Sequence, residues 1–198
     1  MKILAASDIH DDLSTVKKLA KKAEKEDVDL VLLAGDLTLS GEPVDGLLKP
    51  FKDKNKKVLL VPGNHDTIAT GDFLAEIFGM KNIHGYSVRY EDIGFFGCGG
   101  ADFGLTALTE KEIFENLKKG FEKIKYLEKR VMLTHMHPSK SKSEFSGFKG
   151  SKAVKKAIEQ FKPSILIHGH IHEGEGIEER VGKTKVINVG KEGKVIKI

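Results

Sequence analysis

The sequence alternates short apolar runs with amphipathic stretches, and each of the first three runs breaks off into polar residues. The runs are "KILAAS" from Lys2, "DLVLLAG" from Asp29 and "KVLLVPG" from Lys57. Amphipathic segments near residues 13 to 26 and 44 to 53 lie between them, and another follows near 69 to 79. This βαβαβα order predicts a parallel sheet with right-handed crossovers.

The second half changes character. "SVRYED" and "GFFGCGG" lie close enough to form a hairpin around Asp92 to Gly94, and a helix from about Thr109 to Lys123 opens on the capping-box pair Thr109 and Glu112. "RVMLTHMH" reads as a strand, and a helix near 151 to 161 starts behind Ser151 as its cap. "SILIHG", "GIEERV", "TKVINVG" and "KVIKI" read as further strands, the last ones antiparallel. A parallel half and an antiparallel half predict two sheets packed together. The one linker-like tract is "PSKSKSEFSGFKGS", residues 138 to 151.

At 198 residues with 39% hydrophobic content, the chain suits one sizeable core, so a single domain over 1–198 is expected. No window reaches the roughly 18 apolar residues of a membrane span. "MKILAASDIHDD" turns acidic before a signal-peptide core could form, which points to a cytoplasmic protein. The lone Cys98 rules out an internal disulfide or a thiolate zinc site, and its apolar neighbours supply no base, so it reads as core. The net charge of +4 is spread over 33 basic and 29 acidic residues and gives nucleic acid no focus. Lys17, Lys18, Lys21 and Lys22 lie opposite Val16, Leu19, Ala20 and Ala23, as on a solvated helix face.

Chemistry gathers where the strands end. "ASDIHDD", "AGDLT" and "PGNHDT" occupy successive carboxyl ends, which share one edge of a parallel sheet, the edge where ligands bind. Asp8, His10, Asp36, Asn64 and His65 should therefore converge. His135 closes another strand, and "ILIHGHIHEG" sets His168, His170 and His172 around Gly169, which marks the end of the strand. A carboxylate can bridge two cations while imidazole and amide ligands complete each sphere. Two Asp, four His and one Asn suit a pair of borderline divalent ions; oxygen-only magnesium or calcium sites would not use so many histidines.

Five ordered motifs result: "DIH" (8 to 10), "GD" (35 to 36), "GNHD" (63 to 66), His135 and "GHIH" (169 to 172). Over nearly the whole chain this pattern resembles the calcineurin-like metallophosphoesterase superfamily, in its small single-domain phosphodiesterase form. The resemblance implies an α/β fold, a four-layer α/β/β/α sandwich of two mixed β-sheets flanked by helices. It implies that Asp8, His10 and His172 hold one metal and Asn64, His135 and His170 the other, with Asp36 bridging and His65 beside the scissile phosphate. The implied cofactors are two divalent ions, manganese first, with nickel, zinc or iron as alternatives. The implied reaction is hydrolysis of a phosphoester, a diester by preference, through attack of a metal-bridging hydroxide with His65 as acid or electrostatic catalyst. The expected partner is a small phosphoester; no nucleic acid or membrane span is expected, and a homodimer stays open.

Two other readings share these motifs. A nuclease of the double-strand-break repair type needs extensions that a chain closing on "NVGKEGKVIKI" does not offer. A retromer-type protein-binding scaffold replaces the catalytic His, whereas His65 is in place. One departure stands out. The phosphoprotein phosphatase branch carries a second Asp three residues after the bridging one, which steadies the catalytic His; here that position is Leu39 in "GDLTLSG". This argues against a protein serine/threonine phosphatase and leaves Asp66 as the candidate to orient His65. His137 and His168 match no ligand position and read as supports, His84 as structural, and Asp11 and Asp12 as helix caps. Lys140, Lys142 and Lys149 follow His135 closely enough to reach over the site, although a solvated loop is the simpler reading.

Overall fold

A computed structural model describes residues 1–198. The apolar runs of the first half form β1 (Lys2–Ala6), β2 (Leu30–Ala34) and β3 (Val58–Val61), all parallel, with α1 (Leu13–Lys25), α2 (Lys49–Asp53) and α3 (Ile68–Phe78) after them in turn. Helix α2 is shorter than the pattern over 44 to 53 predicts. Pro50 lacks a backbone N–H and is accommodated only in a first helical turn, so the helix starts beside it. A two-residue β4 (Lys81–Asn82) extends the sheet beyond β3.

The expected hairpin forms between β5 (Ser87–Tyr90) and β6 (Ile93–Cys98). Helix α4 (Glu110–Glu122) then leads to β7 (Lys129–Thr134), and α5 (Lys152–Phe161) to β8 (Ile165–His168). Strands β9 (Glu178–Val181) and β10 (Thr184–Asn188) pair antiparallel, and β11 (Lys194–Lys197) crosses to the first sheet to pair antiparallel with β1. The sheet orders are β11-β1-β2-β3-β4 and β5-β6-β7-β8-β10-β9.

The division into a parallel half and an antiparallel half is thus corrected. Both sheets are mixed, with β6, β7, β8 and β10 parallel inside the second and antiparallel strands at its edges. Parallel neighbours need a crossover connection, and α4 and α5 supply two of them.

Alternate side chains sort these sheets into layers. Ile3, Ala5, Leu32 and Leu59 meet Phe95, Val131, Leu133 and Ile167 between the sheets. Their neighbours Leu4, Val31, Leu33 and Leu60 turn to Val16, Leu19, Phe51 and Leu74 of the first helical layer. On the far side, Phe96, Met132 and Leu166 pack on Ile113, Leu117, Val154 and Phe161. The result is a four-layer α/β/β/α sandwich, and strands covered on both faces explain why the runs are apolar without alternation. Cys98 lies in the third of these cores, where burial pushes its thiol pKa up. No helix is long and apolar enough to cross a membrane.

Candidate metal centre

Because β1, β2 and β3 stop nearly in register, the segments after Ala6, Ala34 and Val61 emerge side by side. The second sheet brings His135, directly after β7, against the same edge: its Nδ1 donates to the Ala34 carbonyl at 2.8 Å. Two glycines set the closeness of approach. A β-carbon on Gly169 would lie 1.8 Å from Ser7 Oγ, and one on Gly63 would lie 2.0 Å from Asp36 Oδ1. Four site residues hold left-handed backbone angles, with φ of 57° at Asp8, 51° at His10, 51° at Asp36 and 72° at His170. Each such non-glycine residue costs on the order of 1 kcal/mol or more, so surrounding structure must impose it. Part of that imposition is visible: Asp8 N donates to Gly35 O and His10 N to Asp36 O, both at 3.0 Å.

All seven donors read from the sequence come together. His172 Nε2 lies 3.2 Å from Asp8 Oδ1 and 3.5 Å from His10 Nε2. His135 Nε2 lies 2.9 Å from Asn64 Oδ1 and 3.1 Å from His170 Nδ1. Asp36 sits between these groups, Oδ2 at 3.7 Å from His10 Nε2 and Oδ1 at 3.5 Å from His135 Nε2. By closeness alone, Asp8 also joins both groups, once with His10 and His172 and once with Asp36 and His135. The two Asp36 oxygens face different groups, and its Oδ1 also accepts the His65 backbone N–H at 2.9 Å, as Asp8 Oδ2 accepts that of His170 at 3.1 Å.

The donor set fits a cation. His135 Nδ1 faces a carbonyl and so carries the ring proton, which leaves its Nε2 a lone pair directed at Asn64 Oδ1, itself an acceptor. His10 Nδ1 is buried without a partner, and its Nε2 lies 3.5 Å from that of His172. The His135 lone pair and the Asn64 oxygen are acceptors held 2.9 Å apart, a contact that a cation between them would relieve. Burial, aided by His135, pushes the His170 pKa down to about 3, and burial also lowers that of His10, so both rings are in the neutral, ligating form. The hydrogen bond to Asp8 raises His172. For Asp8, burial pushes upward, but that bond and the nearby imidazoles outweigh it and leave the carboxyl below its usual range.

His65 stands at the rim, its ring 5.0 Å from that of His10 and edge-on to it. Its Nδ1 donates to the backbone carbonyl of Leu39 at 2.9 Å, leaving Nε2 free. The carbonyl at position 39 therefore orients this ring, and Asp66 does not. Asp66 is fully buried and accepts from Leu37 N, Thr38 N, Thr38 Oγ1 and Gly63 N at 2.7 to 3.0 Å, clamping the second loop to the third. Asp11 is likewise reassigned: Asp12 caps α1, whereas Asp11 accepts from Leu39 N at 2.8 Å and Val44 N at 3.2 Å. Sequence reasoning missed the Leu39 carbonyl because a backbone group leaves no trace in residue identity.

His137 and His168 lie behind the donors. His137 Nε2 donates to Phe148 O at 3.3 Å, and its ring stacks 6.3 Å from that of His170. His168 is fully buried, and burial pushes its pKa to about 3. His84 accepts the Gly99 N–H at 3.1 Å, fastening the exit of β6. The 138 to 151 tract is pinned by Glu144, which accepts from Lys140 N and Gly150 N. Lys140, Lys142 and Lys149 are exposed, and their ammonium groups make no hydrogen bond to the site.

A cluster of carboxylates and imidazoles at the strand-end edge of an α/β/β/α sandwich makes a candidate metal centre. Over residues 1–174 the sequence matches the model of the calcineurin-like phosphoesterases, and the chain belongs to that family. No curated protein matches it. Among solved structures it is similar to TT1561 of Thermus thermophilus, at 20% identity and a TM-score of 0.79, covering 96% of this chain and 90% of that one. It is also similar to a dimetal phosphatase from Danio rerio, at 11% and 0.61 over 96% and 88% of the two chains. A third is a novel archaeal phosphodiesterase, at 22% and 0.56 over 96% and 84%. At such identities the likeness establishes the fold.

Proposed function

We propose that this chain is a dinuclear-metal-dependent phosphodiesterase. Asp8, His10 and His172 would hold one divalent ion, Asn64, His135 and His170 the other, with Asp36 between them. The observation that supports this reading is the convergence of Asp8, Asp36, His10, His135 and His172 within ligand distance of one another, with Asn64 and His170 beside His135. Mixed imidazole and oxygen donors suit manganese, with nickel, zinc and iron as alternatives. Family membership supports a phosphoester as substrate. A diester is favoured by the phosphodiesterase among the structural neighbours.

When bound, the ions supply Lewis acidity toward water and the phosphoryl oxygens. The remaining work falls to the chain. With Nδ1 engaged by Leu39, His65 presents Nε2 toward the site; protonated there, it donates to the departing oxygen and draws charge on the phosphoryl group. His65→Asn should keep the metal content of the parent and slow hydrolysis by roughly 10²- to 10⁴-fold, more on alkyl esters than on nitrophenyl esters. Metal loss in this variant, or an unchanged rate, would overturn the role given to His65.

A further inference from the structure

Four large apolar side chains stand in water around this one edge: Leu39 is 60% exposed, Phe103 47%, Leu105 55% and Phe148 55%. Single exposed apolar residues are ordinary, but a group of them bordering a polar site is not. Each is tied to a residue of the site. The Leu39 carbonyl holds His65, Leu105 N donates to Asn64 O at 2.7 Å, and the Phe148 carbonyl accepts from His137. The rings of Phe103 and Phe148 lie 5.7 and 6.2 Å from that of His170. Leu105 and Gly41 are close enough that a β-carbon on Gly41 would approach the Leu105 side chain to 2.9 Å. Three loops far apart in sequence thus converge in an apolar rim fixed to the donor cluster.

We propose that this rim is a substrate subsite for a flat aromatic ring carried on the phosphoester, an aryl group or a nucleobase. The two phenyl rings offer it π-faces, and the leucines add apolar surface. This inference rests on the phosphoesterase reading for the position of the phosphoryl group. It adds which phosphoesters are chosen.

The test is calorimetric binding of two matched pairs to the manganese-loaded protein: phenylphosphonate against methylphosphonate, and adenosine 5′-monophosphate against ribose 5-phosphate. Burying part of a ring should favour the ring-bearing member by roughly tenfold. A preference in the first pair alone would identify an aryl group, and one in the second a nucleobase. In a Phe103→Ala, Phe148→Ala double variant the ratio should collapse toward unity, while Phe148→Leu should retain part of it and guard against misfolding of the alanine form. Equal affinities within both pairs, no binding by any of the four, or a ratio that survives the double variant would overturn the subsite. Turnover of bis(p-nitrophenyl) phosphate is scored separately. Turnover without ring preference removes only the subsite, and ring preference without turnover removes only the diesterase.

Discussion

Asp66 makes no hydrogen bond to the His65 ring, yet four donors converge on its carboxylate. An amide in its place would keep one acceptor oxygen and turn an NH₂ toward groups that are themselves donors. Asp66→Asn should therefore destabilise the protein by about 2 kcal/mol or more. Because the clamp joins the loops bearing Asp36 and His65, ester hydrolysis should fall too. A urea unfolding midpoint equal to that of the parent would refute the clamp. The convergence of the seven side chains was legible in the sequence because each follows a strand and the strands end on one edge. The left-handed angles at Asp8, His10, Asp36 and His170 were not, since they arise from backbone bonds between segments distant in sequence. Asp66 was visible as part of "GNHD", but the choice between ring and loop depends on three-dimensional direction.

Helix starts were the most legible elements, because caps are local. The Thr109 and Glu112 side chains form the reciprocal capping box at α4, and Ser151 accepts from Val154 N at α5. What remained hidden is that Glu110 reaches from α4 to Ser151 Oγ and Lys152 N, joining two helix starts 42 residues apart. Thr109→Ala should cost about 1 kcal/mol by losing one cap. Thermal unfolding of parent and variant checks this; equal stability would mean that the box contributes nothing. Strand pairing was less legible than strand existence. "KVIKI" reads as an antiparallel strand, and it is one, but its partner is β1 at the other end of the chain, and nothing local records that choice. β4, two residues long, carries too little pattern to be read.

At the scale of the whole molecule, the strand-end edge concentrates imidazoles that burial keeps neutral. His168 and His170 are pushed from 6.5 to about 3, and His10 and His137 are lowered by burial as well. Between these limits the unfolded chain binds protons that the folded chain refuses, so stability falls as pH falls from 6.5 toward 3. Asp8, whose folded pKa is lowered, loses its contribution in the same direction once pH drops below the ordinary carboxylate value; His172, whose pKa is raised, opposes the trend. Denaturant unfolding of the metal-free protein at about pH 7.5 and about pH 5 should give a lower midpoint in acid. A midpoint unchanged or higher at the lower pH would contradict this burial of neutral rings. The same edge, built where two sheets meet, should take up two cations with one carboxylate between them. Elemental analysis after metal loading and removal of free ions tests this most directly, on the parent and on Asp36→Asn. The parent should saturate at two ions per chain and the variant should lose both together; saturation at one ion per chain, or an Asp36→Asn protein that still holds two as tightly, would contradict it.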